Sequence, residues 1–364
     1  MAPRKEIARS EPAVITNGVA PPPIRASRLP RHLRFPLLII ISLSLNVAAL
    51  SIVADGLGYE LGSVSRSRNE PWQVAAYLGW KVAELAVGWY GKYDGKFQSQ
   101  FLICFKYYIR NYSYIWWCID LDITWLTLLT HAPVLYLLQI FYFISPTTAL
   151  TNLAVDLASV ALPTKLLRPR SALHNPNAPK SAVPNRNIIH SFQVTLSTTL
   201  LGTAIYSVVL YTALKAGLVT FMVTHFDLPT VELAHSVSLP QLVIALTPVG
   251  WAVRGFLLAP SLGAQAHIGD AKASTFNPAT ATFTETLRQN VWGWSKQTKA
   301  LLTQTAVLAV MVAANTAVRV SALEGTDVVG AVGYAGVWVL AGLLSAVMFG
   351  WVGDVGEDVV VKEV

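Results

Sequence analysis

Charge is scarce in this 364-residue sequence: Asp, Glu, Lys and Arg make up 13% of it, about half of the roughly 25% usual in soluble domains. A surface so poor in charge is badly suited to water. Signatures of nucleotide and hydrolase chemistry are missing as well, with no GxxxxGK[ST], no GxGxxG opening a helix after a strand, no GxSxG and no HExxH. These absences argue against energy coupling to nucleotide, make an enzyme the less favoured class, and lead us to expect no cofactor. Cysteine is limited to Cys104 and Cys118, too few for a disulfide framework.

What the chain has instead is apolar length. Hydrophobic residues reach 53% and the mean hydropathy is +0.48. They fall into blocks near the roughly 20 residues that cross a hydrocarbon core about 30 Å thick. Eight such blocks are expected, near 36–54, 72–90, 121–144, 147–166, 190–212, 240–259, 300–320 and 328–350. Lipid offers the backbone no hydrogen-bonding partners, so each must be helical. The fold class is therefore all-α, a polytopic transmembrane helical bundle of about eight spans. The bilayer is the expected partner. Residues 1–35 read as a disordered basic cytoplasmic arm, 36–350 as the transmembrane domain and 351–364 as a short acidic cytoplasmic tail around Asp354, Glu357 and Asp358.

The net charge of +7 does not imply nucleic acid, because the basic residues flank apolar blocks rather than forming a stripe interleaved with aromatics. Their distribution is one-sided. The arm carries Arg4, Lys5, Arg9, Arg25, Arg28, Arg31 and Arg34. After blocks two, four and six come Lys92, Lys96, Lys106 and Arg110; Lys165, Arg168, Arg170, Lys180 and Arg186; and Lys272, Arg288, Lys296 and Lys299. The alternate connections hold Arg66, Arg68, Lys215 and Arg319. Basic loops stay cytoplasmic, so both termini are expected there, in an endomembrane with the endoplasmic reticulum favoured. A mitochondrial membrane is the alternative, since the arm is Arg-rich, but Glu6, Glu11 and the Pro21–Pro23 run spoil an amphipathic presequence.

Lys96–Ile119 stands apart. It lacks Ala, Gly, Val, Pro, Asp and Glu, is crowded with Phe, Tyr, Ile, Lys, Asn and Trp, and contains both cysteines. Gly95-Lys96 is readable from GGTAAG, a splice donor, and Ile119 from ATA running into G, a splice acceptor. The segment reads as a short in-frame retained intron, or else as a genuine aromatic interfacial or ninth hydrophobic segment. On the first reading the sequon Asn111-Tyr112-Ser113 is accidental.

Polar residues at membrane depth cost about 2.5–3.5 kcal/mol when charged and are functional candidates by default. Lys81 and Glu84, three apart, share a helix face in block two. His131 with Pro133 interrupts block three, and Asp156 lies mid-way along block four. The short hairpin at Ser145-Pro146 makes those two blocks neighbours, so His131 and Asp156 are expected to approach. Pro248, Gly250 and Arg254 mark a kinked block six. Lys81, Glu84, His131, Asp156 and Arg254 are thus candidates for a substrate or proton pathway, against internal pairing and, for Arg254 and Arg319, snorkelling to the interface. A second cluster, His225, Asp227, Glu232 and His235, includes the ExxH spacing of carboxylate metal sites. It is expected on a short helix capped by Asp227 with Pro229 in its first turn, and the alternative is a helix whose polar face meets water. Block eight, rich in small residues (Gly333, Gly336, Ala341, Gly342, Ser345, Ala346), allows close packing in the bundle or contact with a membrane-protein partner or second copy.

The stretch Tyr206–Val237, YSVVLYTALKAGLVTFMVTHFDLPTVELAHSV, resembles a segment of uncharacterised multi-span proteins of filamentous fungi. That resemblance implies a fungal origin and no activity. Three roles remain: a structural or assembly component of an endomembrane, a secondary transporter of a small solute, and a membrane-embedded metal-dependent enzyme.

Overall fold

The computed structural model describes residues 30–66, 71–91, 122–167, 185–264, 282–286 and 294–360. The basic arm up to residue 29 and the stretch 96–119 lie outside the described residues. All eight expected apolar blocks are helices: α1 (Arg31–Val64), α2 (Pro71–Tyr90), α3 (Asp122–Phe141), α4 (Pro146–Leu167), α6 (Phe192–His225), α8 (Leu239–Leu262), α9 (Lys296–Val320) and α10 (Val328–Val360). Among the described residues, the short helices α5 (Arg186–Ile189) and α7 (Glu232–Ser236) and a helical stretch at 283–286 lie between them. Among the described residues the only strand-like pairings are two isolated bridges.

Seven of the eight are long and apolar enough to cross a membrane. The exception is α2, with 20 residues that include Lys81 and Glu84 as well as the weakly apolar Gly79, Gly88 and Tyr77. Its charges are covered by other helices instead of facing lipid.

The two extremes of burial follow hydropathy. In α3, 83% of the most apolar window is buried inside the bundle, compared with 17% in α1. Yet α1 has the higher mean hydropathy, 2.5 against 1.4. This is the expected order in lipid, where the greasiest helix belongs outside and the helix carrying Thr124, Thr127, Thr130 and His131 belongs in the middle. Around α3 pack α4, α8 and α9. Outside these, α1 lies on α4, and α6 lies on α8 and α10.

Two of the spanning helices contain a π turn, at Leu214–Leu218 in α6 and Arg254–Leu258 in α8. In α6 the turn contains Gly217, at φ 129°, a backbone conformation open mainly to glycine. α6 and α8 cross closely at Gly250. A Cβ there would lie 2.1 Å from Thr203 Oγ1 and 2.7 Å from the Thr199 carbonyl oxygen.

The ends of alternate connections meet on one face. Arg66 N donates to the Ala322 carbonyl (2.9 Å) and Glu324 N to that of Val64 (3.0 Å). Asp227 N donates to Gly325 O (2.9 Å), and Ser145 donates from both N (3.1 Å) and Oγ (2.8 Å) to Glu60 Oε2. The loop between α9 and α10 is thereby tied to the ends of α1 and α6. At the other end of the bundle, Asn185 donates to Leu262 O and Ser261 to Gln297 O.

Candidate functional site

Four helices converge on Asp156 of α4. From α2, Lys81 Nζ lies 2.8 Å from Oδ1. From α1, Asn46 Nδ2 donates to the same oxygen (3.1 Å) and to Ser159 Oγ (3.2 Å). From α9, Arg319 Nη2 donates to Oδ2 at 3.0 Å. From α3, His131 Nε2 approaches Oδ2 at 3.1 Å, while its Nδ1 lies 2.7 Å from the Thr127 carbonyl oxygen. That oxygen can only accept, so Nδ1 carries a proton. Glu84 Oε2 stands 3.8 Å from Lys81 Nζ.

A second polar residue of α9 supports this hub. Asn315 Nδ2 donates to the Thr130 carbonyl (2.6 Å), in the turn next to Pro133, whose missing N–H interrupts the α3 ladder. Its Oδ1 accepts from Trp80 Nε1 (2.7 Å) and from Arg319 Nε (3.3 Å). Nearby, the Tyr334 hydroxyl of α10 donates to the Pro133 carbonyl (2.7 Å).

The cluster is dry and balanced. Relative exposure is 5% for Lys81, 1% for Glu84, 2% for His131, 2% for Asp156 and 0% for Asn315. Two carboxylates face one ammonium and one guanidinium, while His131 Nε2, with the ring proton on Nδ1, has no hydrogen-bond partner among the described residues and bonds Asp156 Oδ2 only when a further proton is bound. A buried pair repays its desolvation only when the geometry is good and the remaining lone pairs are satisfied. Asp156 meets that condition, with both oxygens engaged. Glu84 does not: neither of its oxygens has a hydrogen-bond partner among the described residues. A separate shallow notch between α9 and α10, lined in part by Leu308, Val312, Trp338 and Gly342 and too narrow for a water molecule, has no charged side chain in its wall.

Four of the five pathway candidates, Lys81, Glu84, His131 and Asp156, are therefore brought together. Arg254 is elsewhere. It sits in the π turn of α8 and donates to the Ile189 carbonyl at the end of α5 and to Thr195 Oγ1 (2.9 Å), so it ties the bundle's other end instead of joining the hub. Arg319 corrects the expectation of snorkelling, since its side chain is 11% exposed and turned inward to Asp156. Asn46 was not anticipated, and Asn315, which with Arg319 closes block seven near its outer end, was assigned no partner. A neutral amide in an apolar helix gives a weak sequence signal, and its partners are 110 and 185 residues away.

The metal quartet does not form. His225 Nδ1 pairs with Asp327 Oδ2 at 2.8 Å, a partner from the α9–α10 loop. That hydrogen bond and one from Gly330 N hold the Asp327 carboxyl below its ordinary value of 3.8. Asp227 caps nothing, because α7 starts at Glu232 with Val231 before it and the Asp227 backbone is bonded to Gly325. Lys215 Nζ occupies the His235 carbonyl (3.0 Å). No group of three or more His, Cys, Asp or Glu among the described residues is placed to hold a metal. In α10, Ala341, Gly342, Ser345 and Ala346 are buried in the bundle, while Gly336 has open space around it.

Comparison with known families places the second half of this geometry. Residues 191–352 match the Bouquet formation protein 3 C-terminal domain. The match covers under half of the 364-residue chain, begins one residue before α6 and ends within α10. It includes the whole of Tyr206–Val237 and, of the hub, only Asn315 and Arg319. Neither a curated protein nor a solved structure matches the chain.

Proposed function

We propose that this membrane protein is a structural or assembly component of an endomembrane, with the endoplasmic reticulum favoured and both termini cytoplasmic. The carrying observation is the hub: its charges are opposed in number and buried, and all but Glu84 are bonded to Asp156, which suits a group that holds helices together. A solute or proton pathway needs a wetted face, and these side chains have almost none. The match to a domain named for bouquet formation supports a role in organisation rather than in chemistry. The one-sided basic loops support the orientation.

Two measurements test the reading. A C-terminally tagged chain is expected in the endoplasmic reticulum network, and mitochondrial signal overturns that location. In cells lacking the native gene, Glu84→Gln and His131→Ala should impair function only as far as they lower the amount of folded protein. A variant that stays abundant and folded yet inactive overturns the structural role.

A second reading, a secondary transporter, has one observation in its favour: α6 and α8, packed together, are both interrupted by π turns, and broken helices commonly frame transporter sites. Uptake of a solute by reconstituted vesicles that Arg254→Gln abolishes would establish it.

A further inference from the structure

The matched domain begins at α6, so its helices meet the preceding ones along a seam of contacts made chiefly by α3 with α8 and α9. On one side stand α1–α4; on the other, α6–α10. Asn46, Lys81, Glu84, His131 and Asp156 all belong to the first group, and Arg319 and Asn315 to the second. We infer that Arg319 and Asn315 form a docking face on α9 by which the C-terminal domain recognises a carboxylate-bearing helical unit, here α1–α4 with Asp156.

Three features support this assignment. First, the two residues reach across the seam to different helices: Arg319 to Asp156 on α4, Asn315 to the Thr130 carbonyl of α3 and to Trp80 of α2. A single α9 face thus reads three of the four helices in the other unit. Second, the hub is charge-matched only with both units present. Without Arg319, the first unit keeps Lys81 against Asp156 and Glu84; without the first unit, Arg319 has no carboxylate from the hub. Third, the medium selects polar contacts. Apolar helix faces gain little by leaving lipid for each other, so Trp125 packed at Gly255 and the contacts of α3 with α8 supply fit, while Arg319 and Asn315 supply preference.

The kind of partner follows from the chemistry. The face presents a guanidinium and a primary amide about one helical turn apart. It fits a helix pair offering an ionised Asp or Glu and, one helix away, a backbone carbonyl exposed beside a proline.

The test uses the full chain with a protease site inserted between Leu167 and Asn185, cleaved after purification in mild detergent. In the parent, the α1–α4 and α6–α10 fragments should co-elute. In Arg319→Gln, which leaves Lys81 paired with Asp156, the fragments should part, with retention of one by the other lowered about tenfold or more. In Arg319→Lys, which keeps the charge but loses the fork, retention should fall in between. Separation of the parent fragments, or co-elution of the Arg319→Gln fragments at the parent level, overturns the inference. If Arg319→Gln does not fold, Asn315→Leu is read in the same assay, and parent-level retention there overturns it equally.

Discussion

At the scale of single residues, Asp156 has more riding on it than any other polar group here. Removing one member of a buried ion pair costs about 3–5 kcal/mol, because its partner is left charged and unpaired. Asp156→Asn takes a carboxylate from two cations at once, leaving Lys81 only Glu84 at 3.8 Å and Arg319 without its ion pair, and is expected to lower the unfolding temperature in detergent more than Lys81→Met or Asn46→Leu does. A thermal-shift series on the three variants checks the order. Outside the spans, Glu60 and Asp327 behave differently. Hydrogen bonds from Ser145 lower the Glu60 carboxyl below 4.5, and His225 and Gly330 lower Asp327 below 3.8. A carboxylate held down in this way supports the fold above its ordinary value and stops doing so as pH falls through the lowered one. The ties of Ser145 to Glu60 and of His225 to Asp327 should therefore hold at neutral pH and loosen only below about pH 4, which hydrogen exchange at Ser145 and Gly330 would report.

Much of this chemistry was readable from spacing. Lys81 and Glu84 share a face because they are three apart on a helix, and the Ser145-Pro146 hairpin forces His131 toward Asp156. Arg319 and Asn315 were not readable as members, because their pairing depends on how α9 lies against α4 and α3, and no local pattern encodes contacts across 163 and 185 residues. The quartet around His225 failed for a related reason. The ExxH spacing is local, but His225 found a nearer acid in a loop 102 residues away.

At the scale of elements, close approach decides which small residues matter. Gly250 faces Thr203 and the Thr199 carbonyl across the α6–α8 crossing, so Gly250→Leu should separate the helices and lower thermal stability by several degrees. Gly336→Leu meets open space and should be close to neutral. A thermal-shift comparison distinguishes them, and equal losses would mean that Gly336 faces a second copy or a partner. Among the described residues, Glu232 and His235 of α7 are not grouped with a third ligand. A zinc titration of purified parent protein and His235→Ala should give the same response. Helix existence was legible throughout, since hydropathy period and length depend only on neighbouring residues. The π turns at Leu214–Leu218 and Arg254–Leu258 were not, although Pro248 and Gly250 had marked α8 as irregular.

At the scale of the whole molecule, the outermost and innermost helices of the bundle are sorted by polarity. α1, the greasiest, is the most exposed to lipid, and α3, rich in threonine, is the most enclosed. The chain should resist carbonate extraction and require detergent for release; recovery in the soluble fraction would contradict the membrane fold. α2 is the member whose insertion depends most on company, since it falls short of the apolar length that the other seven reach.

The loop that joins α9 to α10 also bears on biosynthesis. Its backbone closes the ends of α1 and α6, and the guanidinium that completes the hub lies in the last turn before it. Helices made early must therefore wait in the bilayer, with Asp156 and its neighbours partly unanswered, until nearly the whole polypeptide has left the ribosome. Chains that stop short of residue 319 should be the ones a cell's surveillance machinery recognises and destroys.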